Sequence, residues 1–147
     1  MDYTHTMPAI ARRKPARTPT VTEAVQAAAG LRTFERIADQ WRLSAVDAMA
    51  LLGVDARSTY YDLLKRAREG REVKGLSADQ LDRLSYLLGI YEAIRVLFPH
   101  SEETRKEWIT RANTGDLFGG RTPLDIMRAN MIGLYQTFAY LTAARGL

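Results

Sequence analysis

A chain of 147 residues, 46% of them apolar, is long enough to bury a hydrophobic core and too apolar for general disorder. It has no cysteine, which excludes disulfides and thiolate metal sites and suits a reducing cytoplasm, and it shows neither a bilayer-spanning apolar run nor a signal-peptide core. Its net charge of +4 is uneven: residues 1–75 hold thirteen Lys and Arg against nine Asp and Glu, while residues 76–147 hold eight of each.

Residues 1–19 read as a flexible basic tail, with Pro8, Pro15 and Pro19 among Arg12, Arg13, Lys14 and Arg17 and little to bury. Every later segment reads as helix. Thr20 and Glu23 form a capping-box pair that opens an alanine-rich segment running to Gly30. Leu31, Phe34, Ile37, Ala38 and Trp41 then give residues 31–42 one apolar face. Ser44 and Asp47 cap a short helix whose apolar Val46, Met49, Leu51 and Leu52 end at Gly53. A further helix starts near Arg57 or Ser58, runs to about Glu69 and buries Tyr60, Leu63, Leu64 and Ala67.

Beyond Gly75, Ser77 and Gln80 form a second capping box, with Leu76 and Leu81 at the positions of a hydrophobic staple. The helix they open carries Leu81, Leu84, Leu88, Tyr91, Ile94 and Phe98 and stops before Pro99. Ser101 caps the next, with Trp108, Ile109 and Ala112 facing inward. Residues 113–121 read as a turn-rich loop. Thr122 caps a last helix with Pro123 in its first turn, expected to run unbroken through Met127, Met131, Leu134, Tyr135, Phe138 and Leu141 to Gly146, about 22 residues or roughly 33 Å. No segment alternates with period two, so the class is all-α.

An enzyme fits this inventory poorly. His5 and His100 are the only histidines, neither with a metal-ligand partner at helical spacing, and there is no cysteine nucleophile, G-x-S-x-G elbow or P-loop. Asp79 with Asp82 and Glu102 with Glu103 sit in capped first turns, where complementing the helix dipole is their ordinary role. Gly119-Gly120-Arg121 before a helix start reads either as an anion-binding nest or as a tight loop. No catalytic residue, metal or cofactor is expected.

Residues 44–68 have the layout of a helix-turn-helix, which would place Arg57, Ser58, Thr59 and Tyr61 against bases and phosphates, with Lys65, Arg66 and Arg68 farther along. Thr59 and Asp62 fall where such motifs commonly put aliphatic residues, so an ordinary helical hairpin with a basic outer face stays open as the alternative. Charge alone likewise reads as operator binding or as a solvated surface.

The run Arg83-Leu-Ser-Tyr-Leu-Leu-Gly-Ile-Tyr, then Leu97-Phe98, Trp108, Asn113 and Leu117-Phe-Gly-Gly-Arg-Thr-Pro-Leu-Asp-Ile-Met, resembles the toxin-binding domain of the Xre/MbcA/ParS antitoxins. Trp41-Arg-Leu-Ser, Leu51-Leu-Gly-Val and Arg57-Ser-Thr-Tyr resemble the Xre-type region that precedes it, so the likeness covers about residues 31–147. It implies an Xre-like region over 20–75 and a helical toxin-binding domain over 76–147. It further implies as partner a RES-domain toxin, NAD-consuming or ADP-ribosylating, whose active site the chain covers, an antitoxin dimer within a larger complex, and repression of the chain's own operon through operator DNA. The basic tail has no counterpart in the resemblance. A helix-turn-helix regulator without a toxin is the alternative function.

For toxin contact the candidates are Arg128, Tyr135, Arg145, Gly146 and Leu147. Gly146 suits a helix stop, so Leu147 and its carboxylate are expected to project, where they could occupy a pocket built for pyrophosphate and a ring, or simply fray into solvent.

Overall fold

The computed structural model describes residues 21–147, and the tail and the Thr20 half of the first capping box lie outside them. Among the described residues there are seven α-helices and no strand: α1 (Val21–Gln40), α2 (Ala45–Leu52), α3 (Arg57–Arg68), α4 (Ala78–Leu97), α5 (Glu102–Glu107), α6 (Pro123–Ala129) and α7 (Met131–Ala144). A 3-10 turn, Trp108–Thr110, follows α5. None of these helices is long and apolar enough to cross a membrane.

The helix starts are local chemistry. Ser44 Oγ accepts from Asp47 N at 3.1 Å, Ser77 Oγ from Gln80 N at 3.0 Å, Ser101 Oγ from Thr104 N at 3.2 Å and Thr122 Oγ1 from Asp125 N at 3.1 Å. Each satisfies an amide that has no partner within its own helix. Gln80 Oε1 returns the bond to Ser77 N at 2.9 Å, completing the capping box.

Gly30 does not end the first helix. It lies buried within α1, where a Cβ would stand 2.9 Å from Leu84 Cδ2 of α4. The missing side chain lets the two helices approach, and that packing offsets the roughly 1 kcal/mol that glycine costs a helix. α1 ends instead at Trp41–Leu43. There Leu43 N donates to Ala38 O and Arg42 N to Asp39 O, with Arg42 itself left-handed at φ 55°. Past α3 the connection is pinned to the start of α1 by Val73, which is buried and donates its N–H to Ala24 O at 3.3 Å.

α4 is the central helix. Leu84 and Leu88 meet α1 at Gly30, while Tyr86 and Gly89 meet α7, with Tyr86 5.5 Å from the Tyr135 ring and 5.2 Å from that of Phe138. Leu87, Ile90 and Ile94 lie between these faces and are fully buried, although the expected stripe left out Leu87 and Ile90. Burial on both sides widens the apolar arc and blurs the period.

Three further expectations are corrected. Val46 does not join the core but is 62% exposed, and Ala112 is exposed because the chain tightens into the 3-10 turn before reaching it. The last helix is not continuous. Asn130, extended at φ −171° and ψ 174°, separates α6 from α7, and its Oδ1 accepts from Gly133 N at 2.8 Å as the N-cap of α7. At this elbow a Cβ on Gly133 would overlap the carbonyl oxygen of Ile126, so the chain closes tightly only because that position is glycine.

One hydrophobic core runs through the whole arrangement, joining Leu31 and Phe34 of α1, Leu51 of α2, Leu64 of α3, Leu87 and Ile90 of α4, Ile109, Met127 of α6 and Leu134 of α7. Each such fully buried aliphatic or aromatic side chain contributes about 2 kcal/mol of transfer free energy.

Candidate functional site

α2, a four-residue turn and α3 form a helix-turn-helix whose geometry is set at Gly53. This residue is left-handed (φ 72°, ψ 35°), donating its N–H to Ala50 O, and Val54 N donates to Met49 O. The turn is also gripped from α4: Gln80 Nε2 donates to Gly53 O at 2.9 Å and Arg83 Nη1 to Ala50 O at 3.4 Å, while Arg83 Nε pairs with Asp79 at 2.8 Å. A Cβ at Gly53 would come within 2.9 Å of Arg83 Nε. Neither clamp was read from the sequence, although Arg83 heads the run that carries the resemblance and Gln80 had appeared only as a capping residue.

On α3, Tyr60, Leu63, Leu64 and Ala67 face the core, and Thr59 and Asp62 are exposed, which fixes the rotation that the sequence left open. Burial raises the Tyr60 phenol above its usual range, with Tyr61 and Glu35 adding to the effect. The outward strip is Arg57, Ser58, Tyr61, Asp62 and Lys65, with Tyr61 48% exposed and its ring 5.3 Å from that of Tyr60.

The candidate basic residues divide. Among the described residues no ion pair involves Arg57 or Lys65. Arg66 reaches Asp62 at 3.9 Å and donates to Glu72 O at 3.5 Å, and Arg68 Nε pairs with Glu35 of α1 at 3.3 Å. Arg71 and Lys74 pair with Glu69 and Glu72.

The candidates for toxin contact are not one cluster. Arg128 stands at the end of α6, while Arg145–Leu147 follow the other end of α7, 14 residues or about 21 Å of helix away. Arg128 bridges Asp47 of α2 at 2.8 Å and Asp125 of its own helix at 3.0 Å; its hydrogen bond to Asp47, then that residue's charge, raises its pKa further. Tyr135 is half-buried against Tyr86. Gly146 is left-handed at φ 82°, Leu147 N donates to Thr142 O at 3.2 Å, and the Leu147 side chain is 79% exposed.

The glycine loop is structural. Gly119 and Gly120 have φ of 57° and 90°, which side-chain-bearing residues rarely adopt. The amides of Gly115, Phe118, Gly119, Gly120 and Arg121 all donate within the loop, so no nest is left open for an anion. Phe118, fully buried, plugs the loop edge-on to Trp108 at 5.7 Å and Tyr140 at 5.1 Å. Among the described residues no group of three or more His, Asp and Glu is placed to hold a metal ion.

Comparison with known proteins follows the same division. Residues 21–89 match the antitoxin Xre-like helix-turn-helix domain. Residues 93–146 match the antitoxin Xre/MbcA/ParS C-terminal toxin-binding domain. The chain is also 40% identical over 126 residues, 85% of its length, to the uncharacterized protein y4oB of Sinorhizobium fredii (strain NBRC 101917 / NGR234), of which that stretch covers 91%.

Proposed function

The chain belongs to the Xre-type antitoxins, with a helix-turn-helix domain followed by a toxin-binding domain, and from that premise we propose that it neutralises a RES-domain, NAD-consuming toxin by covering the toxin's active site. It acts by binding and not by catalysis. The observation that carries the reading is the toxin-binding match over residues 93–146, which takes in α5, the plugged glycine loop, α6 and α7. α7 offers the half-buried Tyr135 in its first half and Arg145 with the exposed Leu147 at its far end, and Arg128 lies across the elbow at the end of α6. In this reading Arg145 meets an acidic group of the toxin pocket, and the residues after Gly146 enter the space that NAD would fill.

Co-expression is the test: the protein of the neighbouring reading frame, expected to be of the RES kind, should be tolerated by cells only when the chain is present. A chain ending at Ala144, and Arg145→Glu in the full chain, should each still form the complex yet let the toxin consume NAD. If neither complex shows more NAD consumption than the parent complex, the C-terminus is a bystander and the helical faces alone cover the pocket.

The same protein, as a homodimer within the complex, represses its own operon by setting α3 into the major groove. Support comes from the exposed strip of Arg57, Ser58, Tyr61 and Lys65 on a helix whose core face is fixed. Alanine at Lys65, Arg66 and Arg68 together should lower the salt slope of operator binding by about one unit and not three, because Arg66 and Arg68 already have carboxylate partners.

A further inference from the structure

The end of α1 lies against α5 and the 3-10 turn, and a pocket of about 190 Å³ opens between them, lined by Trp41, Arg42, Lys106, Glu107, Thr110 and Arg111. Two of these residues carry donors that the fold leaves unused. Trp41 is only 2% exposed and stands edge-on to Tyr91 at 6.4 Å, yet its Nε1–H is buried with no acceptor among the described residues. A buried indole N–H ordinarily has a partner. Arg42 is the one residue other than glycine with positive φ among the described residues, at the left-handed position where glycine carries no steric cost. Its exposed guanidinium nevertheless makes no hydrogen bond or ion pair there, and its charge acts on Glu103 and Glu107 only through space.

The other two cations of the pocket are already held, Lys106 by Glu102 at 3.2 Å and Arg111 by Glu107. An indole N–H and a guanidinium can only donate, so whatever the pocket takes must accept. Its volume lies below the roughly 300 Å³ at which sites for drug-sized ligands begin, which suits one small functional group and not a nucleotide. Charge narrows the choice further. Glu102, Glu103 and Glu107 stand against Arg42, Lys106 and Arg111, so a second negative charge on the ligand would meet repulsion, and a monoanion fits better than a phosphate dianion. A wider cleft of about 630 Å³ adjoins the pocket through Lys106 and has room for a backbone that presents such a group.

We propose that this pocket binds a single carboxylate, with one oxygen accepting from Trp41 Nε1 and the other paired with Arg42. The exposed side chains of Arg42 and Arg111 move aside to admit it, and Arg42 then closes over it. The carboxylate belongs either to a free small acid or to an Asp or Glu side chain of a partner protein. The chemistry that recognises it is the same in both cases.

The test is nitrogen-15 NMR of the full chain labelled at tryptophan, which gives two indole N–H resonances, with Trp108→Phe serving only to assign that of Trp41. Sodium acetate should move the Trp41 resonance downfield and saturably, with a Kd on the order of 10 mM for so small a ligand. Sodium chloride at equal ionic strength should leave it in place, and phosphate should move it less than acetate. N-acetylglutamate amide separates the two sources: binding about tenfold tighter than acetate assigns the pocket to a protein side chain, and equal binding assigns it to a free acid. Arg42→Gly, which suits the left-handed backbone, should weaken acetate binding by at least about tenfold while the melting temperature falls no lower than the parent's. Acetate that moves the Trp41 resonance no more than chloride does overturns the proposal, as does an Arg42→Gly chain that binds acetate as tightly as the parent.

Discussion

The helix-turn-helix and the α6–α7 elbow are both sharp changes of direction between short helices, but they are held in different ways. At Gly53 the turn is stabilised from outside, by Gln80 on the Gly53 carbonyl and Arg83 on that of Ala50, while Arg128 on Asp47 ties down the other end of α2. At Asn130 the elbow is stabilised from inside, by the absence of a side chain at Gly133 where the backbone of Ile126 passes. Long polar side chains can shift by several tenths of an ångström and still bond. A carbonyl packed against a Cα cannot. The helix-turn-helix end of the molecule should therefore degrade gradually under substitution, and the toxin-binding end abruptly.

The strongest way to break that contrast is Gly133→Ala, which should cost about 3 kcal/mol in urea unfolding, the upper part of the range for overpacking, and should abolish toxin neutralisation. A cost below about 1 kcal/mol would mean that the elbow opens freely and the contrast is false. Gly53→Ala should cost about 1–2 kcal/mol, chiefly through its left-handed backbone, since Arg83 can move aside. Thermal melts of Gly53→Ala with and without Arg83→Ala separate the two causes: the backbone share stays when the arginine is gone. Gln80→Ala removes one arm of the capping box and the bond to Gly53 O, and about 1 kcal/mol is expected. Smallest is Arg128→Ala, under about 1 kcal/mol for a partly exposed ion pair. A double-mutant cycle with Asp47→Ala should give a coupling that fades as salt is raised, the signature expected at the polar end alone.

Much of this fold is legible in the sequence because capping is local. Ser44, Ser77, Ser101 and Thr122 each bond an amide three residues on, and nothing distant needs to be known to place those helix starts. Gly30 and Asn130 misled for the opposite reason. Whether glycine ends a helix or lets a neighbour approach depends on Leu84, far along the chain, and Asn130 breaks a helix that its apolar spacing would continue because Gly133 rewards the bend. The site divides likewise. The outward strip of α3 follows from helical period, whereas the pairing of Arg68 with Glu35 and the grip of Arg83 on Ala50 O depend on contacts between helices that periodicity does not encode. The even count of charges along residues 76–147 was visible, but which basic groups are neutralised in place was not.

The single core, to which every helix except α5 contributes, also bears on how long the protein survives in a cell. With Leu51 of α2, Leu87 of α4 and Met127 of α6 in one apolar cluster, neither domain has a complete interior of its own to fall back on. Amide hydrogens in α2 should then exchange through the same global opening as those in α7, and a protease that gains one half gains both. Bound toxin at a hundred times its dissociation constant would add about 2.7 kcal/mol to that one opening, so it would protect the helix-turn-helix from exchange and cleavage without touching it.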